Sequence, residues 1–191
     1  MPAHEQLITI DHTQVVLRKL TANDLDALLY YLHHLSDETK KRFGPHPFKR
    51  EAIINFYFQG EEMTGYVAEE TGQSTIIAYS IIKNGCLAHD FDRLNNYGLL
   101  LDNKACCTFA PSVADKWQSR GIGKSLFNFI LNDLRAKGIK KIILWGGVQT
   151  GNEKAVNFYT KAGFKTLGVF EYNGFNLDML LEIDSNQLLD L

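Results

Sequence analysis

Gln118-Ser119-Arg120-Gly121-Ile122-Gly123-Lys124 is the stretch on which the fold is decided. Before it, Cys106 to Ala114 is an apolar, strand-like run; after a short polar turn an amphipathic helix opens near Gly121. The first turn of a helix leaves about four N–H groups without intrahelical acceptors, at the positive end of the macrodipole. Gly121 and Gly123 have no side chain to hold a ligand away from those amides, so the turn suits an anion such as a pyrophosphate. Two common phosphate motifs do not fit. Gly123-Lys124-Ser125 ends like a P-loop, but that motif needs a glycine where Gln118 stands. A dinucleotide fingerprint needs a third glycine, and position 126 is Leu126.

Outward from this turn, Leu126, Phe127, Ile130, Leu131 and Leu134 form one stripe of a helix from Gly121 to Ala136, which Gly138 stops. Lys140 to Trp145 is predicted as a strand, Asn152 to Ala162 as a helix, and Lys165 to Tyr172 with Phe175 to Ile183 as a hairpin around Asn173-Gly174. Upstream, Thr13 to Leu17 is predicted as a strand. A helix from about 22 to 34 follows, introduced by Thr21 and Asp24 at capping positions. Ser36 to Thr39 makes a short helical turn, and Arg50 to Phe58 a further helix. Gly65 to Glu70 and Ser74 to Lys83 read as strands around Thr71-Gly72-Gln73. Residues 84–104 show no clear pattern, although Leu99-Leu100-Leu101 could extend a strand. Pro111 cannot donate to a sheet ladder, so its strand should bulge or splay there.

At 191 residues the chain fits one domain, residues 1–191, with a core from about 13 to 184. A net charge of −2 leaves no basic footprint for nucleic acid, and no apolar run is long enough to span a membrane. Met1 to Ile10 lacks the basic start of a secretory signal. Cys86, Cys106 and Cys107 offer neither a disulfide framework nor metal-ligand spacing, which points to the cytoplasm and to no metal.

Asn152-Glu153-Lys154-Ala155-Val156-Asn157-Phe158-Tyr159-Thr160-Lys161-Ala162-Gly163-Phe164 matches N-x-x-A-x-x-F-Y-x-x-x-G-F at every fixed position. Together with Q-x-x-G-x-G at 118–123 and the phrase Val113-Ala114-Asp115-Lys116-Trp117-Gln118, it resembles the GCN5-related N-acetyltransferases. The element order, β-α-α-β-β-β-α-β-α-β-β, is also that of the family. The resemblance implies an α/β (α+β) acyl-CoA N-acyltransferase fold, a mixed central sheet of about six or seven strands flanked by about four helices, with a bulged fourth strand. It implies acetyl-CoA as co-substrate and direct acetyl transfer to a primary amine, a small molecule ranked ahead of a protein amine. A homodimer stays open.

By the same resemblance, backbone groups of Pro111, Ser112 and Val113 would hold the pantetheine arm. The amides of Gln118, Ser119, Arg120, Gly121, Ile122, Gly123 and Lys124 would hold the pyrophosphate. Asn152, Ala155 and Phe158 would line the coenzyme, and Tyr159 would protonate the departing sulfur. A backbone N–H near Val113 could polarise the carbonyl. The carboxylate that many members carry on the fourth strand corresponds to Thr108, which cannot take a proton at neutral pH. His89, Asp90, Asp92 and Glu69 are the substitute candidates for the base. The missing carboxylate motivates a second possibility, a non-catalytic acyl-CoA-binding module; nucleotide binding through Gly123-Lys124-Ser125 is a third. Trp145 could wall an acceptor cleft or pack in the core, and Arg42, Phe43 and His46 could border the acceptor or serve as hydrophobic staples. Cys106 and Cys107 are expected to be inert core residues.

Overall fold

The computed structural model describes residues 5–58 and 62–183. In chain order the elements are β1 (Glu5–Ile10), β2 (Thr13–Lys19), α1 (Leu25–His33), α2 (Asp37–Arg42), α3 (Arg50–Phe58), β3 (Met63–Glu70), β4 (Thr75–Asn84) and α4 (Phe91–Asn96). They continue as β5 (Cys106–Val113), α5 (Ile122–Ala136), β6 (Lys141–Leu144), β7 (Val148–Gln149), α6 (Glu153–Lys161), β8 (Lys165–Glu171) and β9 (Phe175–Glu182). The chain forms two compact units, Met1–Ile82 with Ala110–Asp133 and Lys83–Phe109 with Leu134–Leu191, so neither is contiguous in sequence. The fold is mixed α/β, as expected, with nine strands among the described residues where six or seven were predicted. Among the described residues no helix is long and apolar enough to cross a membrane.

In the first unit the strands follow the order β1-β2-β3-β4-β5. β1 is one of the two unforeseen strands, and it pairs with β2 along its whole length, from Glu5 opposite Arg18 to Ile10 opposite Thr13. The two-residue turn between them, Asp11-His12, has φ of 47° and 65°, the left-handed pair that hairpin turns require but that Asn-Gly usually supplies. Arg18 on β2 donates to Asp24 Oδ2 at 2.8 Å and Oδ1 at 2.7 Å and to Glu69 on β3. Asp24 also accepts from the Thr21 N–H at 2.7 Å, so the capping pair forms as predicted. Asp133 on α5 is buried and accepts from the Tyr66 hydroxyl and from Lys19 Nζ. An aromatic group of Tyr31, Phe43, His46, Phe56, Tyr57 and Tyr79 fills the space between α1, the loop after α2, α3 and β4. Among them His46 is 6% exposed.

In the second unit β5 pairs with β6 in parallel, β6 with β9 antiparallel, and β9 with both β7 and β8. β7, only two residues long, is the other strand not foreseen. Residues 84–104 find their place here. Cys86 and Leu94 pack with Ile143 and Leu180, and Tyr97, Leu99, Leu101 and Leu167 close around them. No strand forms at Leu99-Leu100-Leu101; Leu99 and Leu101 turn inward while Leu100 is 91% exposed. Arg93 on α4 bridges two buried carboxylates, donating to Asp178 Oδ2 at 2.7 Å and Asp90 Oδ1 at 2.7 Å, and Tyr97 adds a hydroxyl to Asp178 at 3.0 Å. The Tyr97 ring lies so close to Gly168 that a Cβ there would come within 2.4 Å of it, and β8 is bulged at this point. Cys86, Cys106 and Cys107 are all free thiols and buried.

Two outcomes follow for stability. Arg93→Ala leaves Asp90 and Asp178 buried without their cation and should cost about 3 kcal/mol in urea unfolding, whereas a loss under about 1 kcal/mol would mean α4 is held by its apolar contacts alone. Burial holds His46 below its ordinary pKa, so it is neutral in the fold while the unfolded chain protonates near pH 6.5. The unfolded state therefore binds the extra proton first, and stability should fall as pH drops below about 6.5. His46→Gln should flatten that part of the pH–stability curve.

Candidate functional site

β5 carries two different kinds of backbone edge. From Cys106 to Phe109 it is paired with β6, opposite Lys141 to Leu144, and the Trp145 N–H donates to the Phe109 carbonyl at 2.9 Å. β6 then ends, while β5 runs on to Val113. On its other side β5 stays with β4: the Ala114 N–H donates to the Ile77 carbonyl at 2.9 Å. Backbone groups of alternate residues point to opposite neighbours, so Phe109, Pro111 and Val113 share the edge that β6 leaves. Among the described residues no strand takes up that edge after Phe109. The expected irregularity at Pro111 thus takes the form of lost pairing. Proline is tolerated because its missing N–H faces the side with no ladder to feed.

The open edge is sparse. Pro111 offers only its carbonyl, and the Val113 carbonyl already accepts from Gln118 Nε2 at 3.2 Å. The Val113 N–H and the Pro111 carbonyl are what a bound chain would meet. Ser112 turns the other way: its hydroxyl donates to the Tyr79 carbonyl at 3.3 Å and accepts from the Tyr31 hydroxyl at 2.9 Å. Its part at the edge is therefore to fix its two neighbours.

Beyond Val113 the chain enters the turn. Asp115 accepts from the Ser36 N–H at 3.0 Å, the Ser36 hydroxyl at 2.7 Å and the Thr39 hydroxyl at 2.7 Å. Burial alone would raise the Asp115 pKa, but these donors bring it below the ordinary carboxylate range. The turn is thus tied to the N-terminus of α2. Ser119 and Gly121 both have left-handed backbone, with φ of 61° and 89°, on either side of Arg120, a shape that gathers successive N–H groups. A Cβ added at Gly121 would meet nothing within 4 Å, so the approach is open. The Ser125 N–H is the first to find a helical acceptor, the Gly121 carbonyl at 3.0 Å. The amides of Ile122, Gly123 and Lys124 precede it and have no acceptor within the helix. Arg120 is engaged elsewhere: its Nε donates to Asp11 at 2.6 Å and its guanidinium lies 4.2 Å over the Trp117 ring. Of the seven predicted pyrophosphate residues, Gln118 and Arg120 therefore brace the turn through their side chains.

The remaining site residues lie in the second unit. Asn152 caps α6, its side-chain oxygen accepting from the Ala155 N–H at 3.3 Å. Ala155 and Phe158 are half-buried on that helix. Tyr159 is 7% exposed, packed against Phe158 and Phe164, and its hydroxyl has no hydrogen-bond partner among the described residues. Burial pushes its pKa up, so it carries its proton throughout the physiological range.

The candidate bases divide into engaged and exposed groups, and Thr108 is engaged as well. Thr108 is buried and its hydroxyl donates to the Gly85 carbonyl at 2.9 Å. Glu69 is held by Arg18, and Asp90 by Arg93. His89 has a side chain 73% exposed, and Asp92 is likewise on the surface. Burial pushes Cys106 up to about 11 and Cys107 further, so both thiols are protonated core residues. Phe43 and His46 are buried in the aromatic group, and Arg42 pairs with Glu38 at 3.0 Å. What the sequence did not disclose is the polar chain within that group. His46 Nε2 lies 2.9 Å from the Tyr79 hydroxyl, which is in turn bonded to the Tyr57 hydroxyl. Tyr79 sits in the run Ile76 to Ile82, where nothing but its own hydroxyl marks it out.

No curated protein sequence matches the chain. Among solved structures, the GNAT domain of S. lividans PAT is 20% identical with a TM-score of 0.75, over 96% of this chain and 99% of that one. The PaiA N-acetyltransferase of Thermoplasma acidophilum, solved with coenzyme A, is 19% identical with a TM-score of 0.63, over 88% of this chain and 99% of that one. The ribosomal-protein-S18-alanine N-acetyltransferase of Escherichia coli is 18% identical with a TM-score of 0.61, over 93% and 98%. These likenesses concern the fold. The profile of the acetyltransferase (GNAT) family matches residues 29–164. A match over that much of the sequence means that the chain belongs to the GNAT family of acetyltransferases.

Proposed function

We propose that this protein is a cytoplasmic, acetyl-CoA-dependent N-acetyltransferase acting on a primary amine, a small molecule ahead of a protein amine. The observation that carries this reading is the continuity of the open β5 edge at Pro111 to Val113 with the amide-presenting turn at Ser119 to Lys124. An extended arm needs alternating backbone donors and acceptors, and a pyrophosphate needs convergent N–H groups. Both occur here within one stretch of chain, in the order that coenzyme A presents them. Acetyl-CoA would supply the acetyl group as an activated thioester.

In this mechanism the Val113 N–H and the Pro111 carbonyl hold the arm, and the amides of Ile122, Gly123 and Lys124 hold the pyrophosphate. Tyr159 acts at the sulfur. With a thiol near 8.5 and a tyrosine above 10, complete proton transfer in the ground state is uphill by more than about 2 kcal/mol. Tyr159 therefore works as a hydrogen-bond donor to negative charge as it develops on sulfur, a role suited to a neutral buried phenol. The amine attacks directly, because the buried thiols are too basic to serve as nucleophiles at neutral pH.

A second reading, an acyl-CoA-binding module without turnover, is favoured by Thr108, which stands where a carboxylate is common and is spent on Gly85. Release of free CoA thiol across a panel of amines separates the two. Turnover with any amine supports the enzyme, and tight acetyl-CoA binding with no turnover supports the module.

Gly123→Trp should cover the amides of the first helical turn and abolish acetyl-CoA binding in calorimetry while the protein stays folded; unchanged affinity would place the pyrophosphate elsewhere. Tyr159→Phe should lower kcat by about 100-fold with little change in acetyl-CoA affinity, and a kcat equal to wild type would remove Tyr159 from the mechanism.

A further inference from the structure

The corner between α1 and α2 grips the β5 segment on both sides of Val113. Before Val113, Ser112 gives its only hydroxyl proton to the Tyr79 carbonyl at 3.3 Å, so the 2.9 Å bond to Tyr31 is donated by the Tyr31 hydroxyl. Tyr31 belongs to α1 and is buried. After Val113, both oxygens of Asp115 are taken up by residues that open α2. Oδ2 accepts the Ser36 N–H at 3.0 Å, and Oδ1 accepts the Ser36 and Thr39 hydroxyls, each at 2.7 Å. The Thr39 N–H returns to the Ser36 hydroxyl at 3.2 Å, so these donors are fixed to one another as well as to the carboxylate.

The chain between these points is bonded to itself closely enough to carry position. The Trp117 N–H donates to the Ala114 carbonyl at 2.7 Å, the Gln118 N–H to the Asp115 carbonyl at 3.3 Å, and the Gln118 side chain to the Val113 carbonyl at 3.2 Å. Where Asp115 stands therefore sets both the direction of the Val113 N–H and the start of the turn that leads to Ile122. Charge makes the choice of residue telling. Asp115 is an exposed carboxylate just ahead of a turn whose amides suit an anion, and a like charge there repels a pyrophosphate, most strongly at low salt. Ligand binding does not call for it. The donors on α2 do: a neutral amide has a single oxygen and leaves either the Ser36 N–H or the two hydroxyls facing its NH2, whereas a carboxylate takes all of them in charge-assisted bonds.

We propose that Tyr31, Ser36, Thr39 and Asp115 are positioning residues for acetyl-CoA, a clamp through which the α1–α2 corner sets the β5 edge and the turn after it. They act through the Val113 N–H and the amides of Ile122, Gly123 and Lys124. The inference rests on the acetyl-CoA reading of that edge. Coupling of this kind is reciprocal: the factor by which the closed clamp strengthens coenzyme binding is the factor by which bound coenzyme closes the clamp. Its sign separates it from plain electrostatics. If Asp115 were only a nearby charge, neutralising it would tighten the binding of an anionic ligand; as the centre of the clamp, neutralising it weakens that binding.

The test is calorimetry of the whole chain with acetyl-CoA at low ionic strength. Asp115→Asn should weaken acetyl-CoA about tenfold, although it removes a negative charge from beside an anion site. Ser36→Ala combined with Thr39→Val leaves the Asp115 charge in place and should weaken it by a similar factor, as should Tyr31→Phe. Glu38→Gln removes a charge of α2 outside the clamp, where Glu38 pairs only with Arg42, and should leave affinity unchanged. Hydrogen exchange reads the reciprocal effect: saturating acetyl-CoA should slow the Thr39 and Lys40 amides in the wild type and not in Asp115→Asn. Equal or tighter binding by folded Asp115→Asn, or exchange at α2 that ignores the ligand in the wild type, overturns the clamp alone. Should Asp115→Asn fail to fold, the Ser36 and Thr39 double variant decides, and wild-type affinity there overturns the clamp. A wild type that binds no acetyl-CoA overturns the coenzyme reading and the clamp with it.

Discussion

A backbone N–H or carbonyl left without a partner away from water costs about as much as a lost hydrogen bond, so strands in the middle of a sheet are normally paired on both sides. β5 obeys this from Cys106 to Phe109 and then departs from it for the length of Ala110 to Val113, because β6 stops at Leu144. The local chemistry makes the departure tolerable. Pro111 has no N–H to leave unpaired, Gln118 satisfies the Val113 carbonyl, and the other edge keeps its partner in β4. Among the described residues, what stays open is one donor and one acceptor, a set that an extended polar ligand can complete.

Much else serves to hold that half-paired segment still. Ser112 is fixed by Tyr31 and by the Tyr79 carbonyl, and Asp115 is gripped by three donors from Ser36 and Thr39. Arg120 fastens the following turn to the Asp11 end of the β1 hairpin. Among the described residues no side chain bonds to the N–H groups of the first helical turn. A strand edge that had to be ordered on binding would draw on the affinity of its ligand; one ordered in advance does not.

The parts of this arrangement legible in the sequence are those that depend on residues near one another. The helical stripe from Leu126 to Leu134, the Asn173-Gly174 turn, the Thr21–Asp24 cap and the Asn152 cap all follow from spacing, and each forms. β1 escaped because Asp11-His12 is an uncommon sequence for a left-handed two-residue turn. α4 escaped because six residues carry little periodicity, and its fixing by Asp178 comes from 85 residues away. The polar interior escaped for the same reason: His46 and Tyr79 are 33 residues apart and neither looks unusual in its own segment. Spacing assigns the amides of Gln118 to Lys124 to the ligand; that the side chains of Gln118 and Arg120 belong to the scaffold, bonded to Val113 and Asp11, is visible only in the structure. A pattern identifies which positions matter at a turn, but hydrogen bonding decides whether the backbone or the side chain is the part that acts.

The replacement of a fourth-strand carboxylate by Thr108 becomes intelligible on this view. A carboxylate at a position 1% exposed would need donors to offset the desolvation of its charge, and the Thr108 hydroxyl faces a carbonyl, which can offer none. Neutral groups are easier to keep in such surroundings: His46 is buried with both ring nitrogens bonded, one to Pro47 and one to Tyr79, and burial keeps it uncharged at rest, so the interior gains polar contacts without carrying a charge.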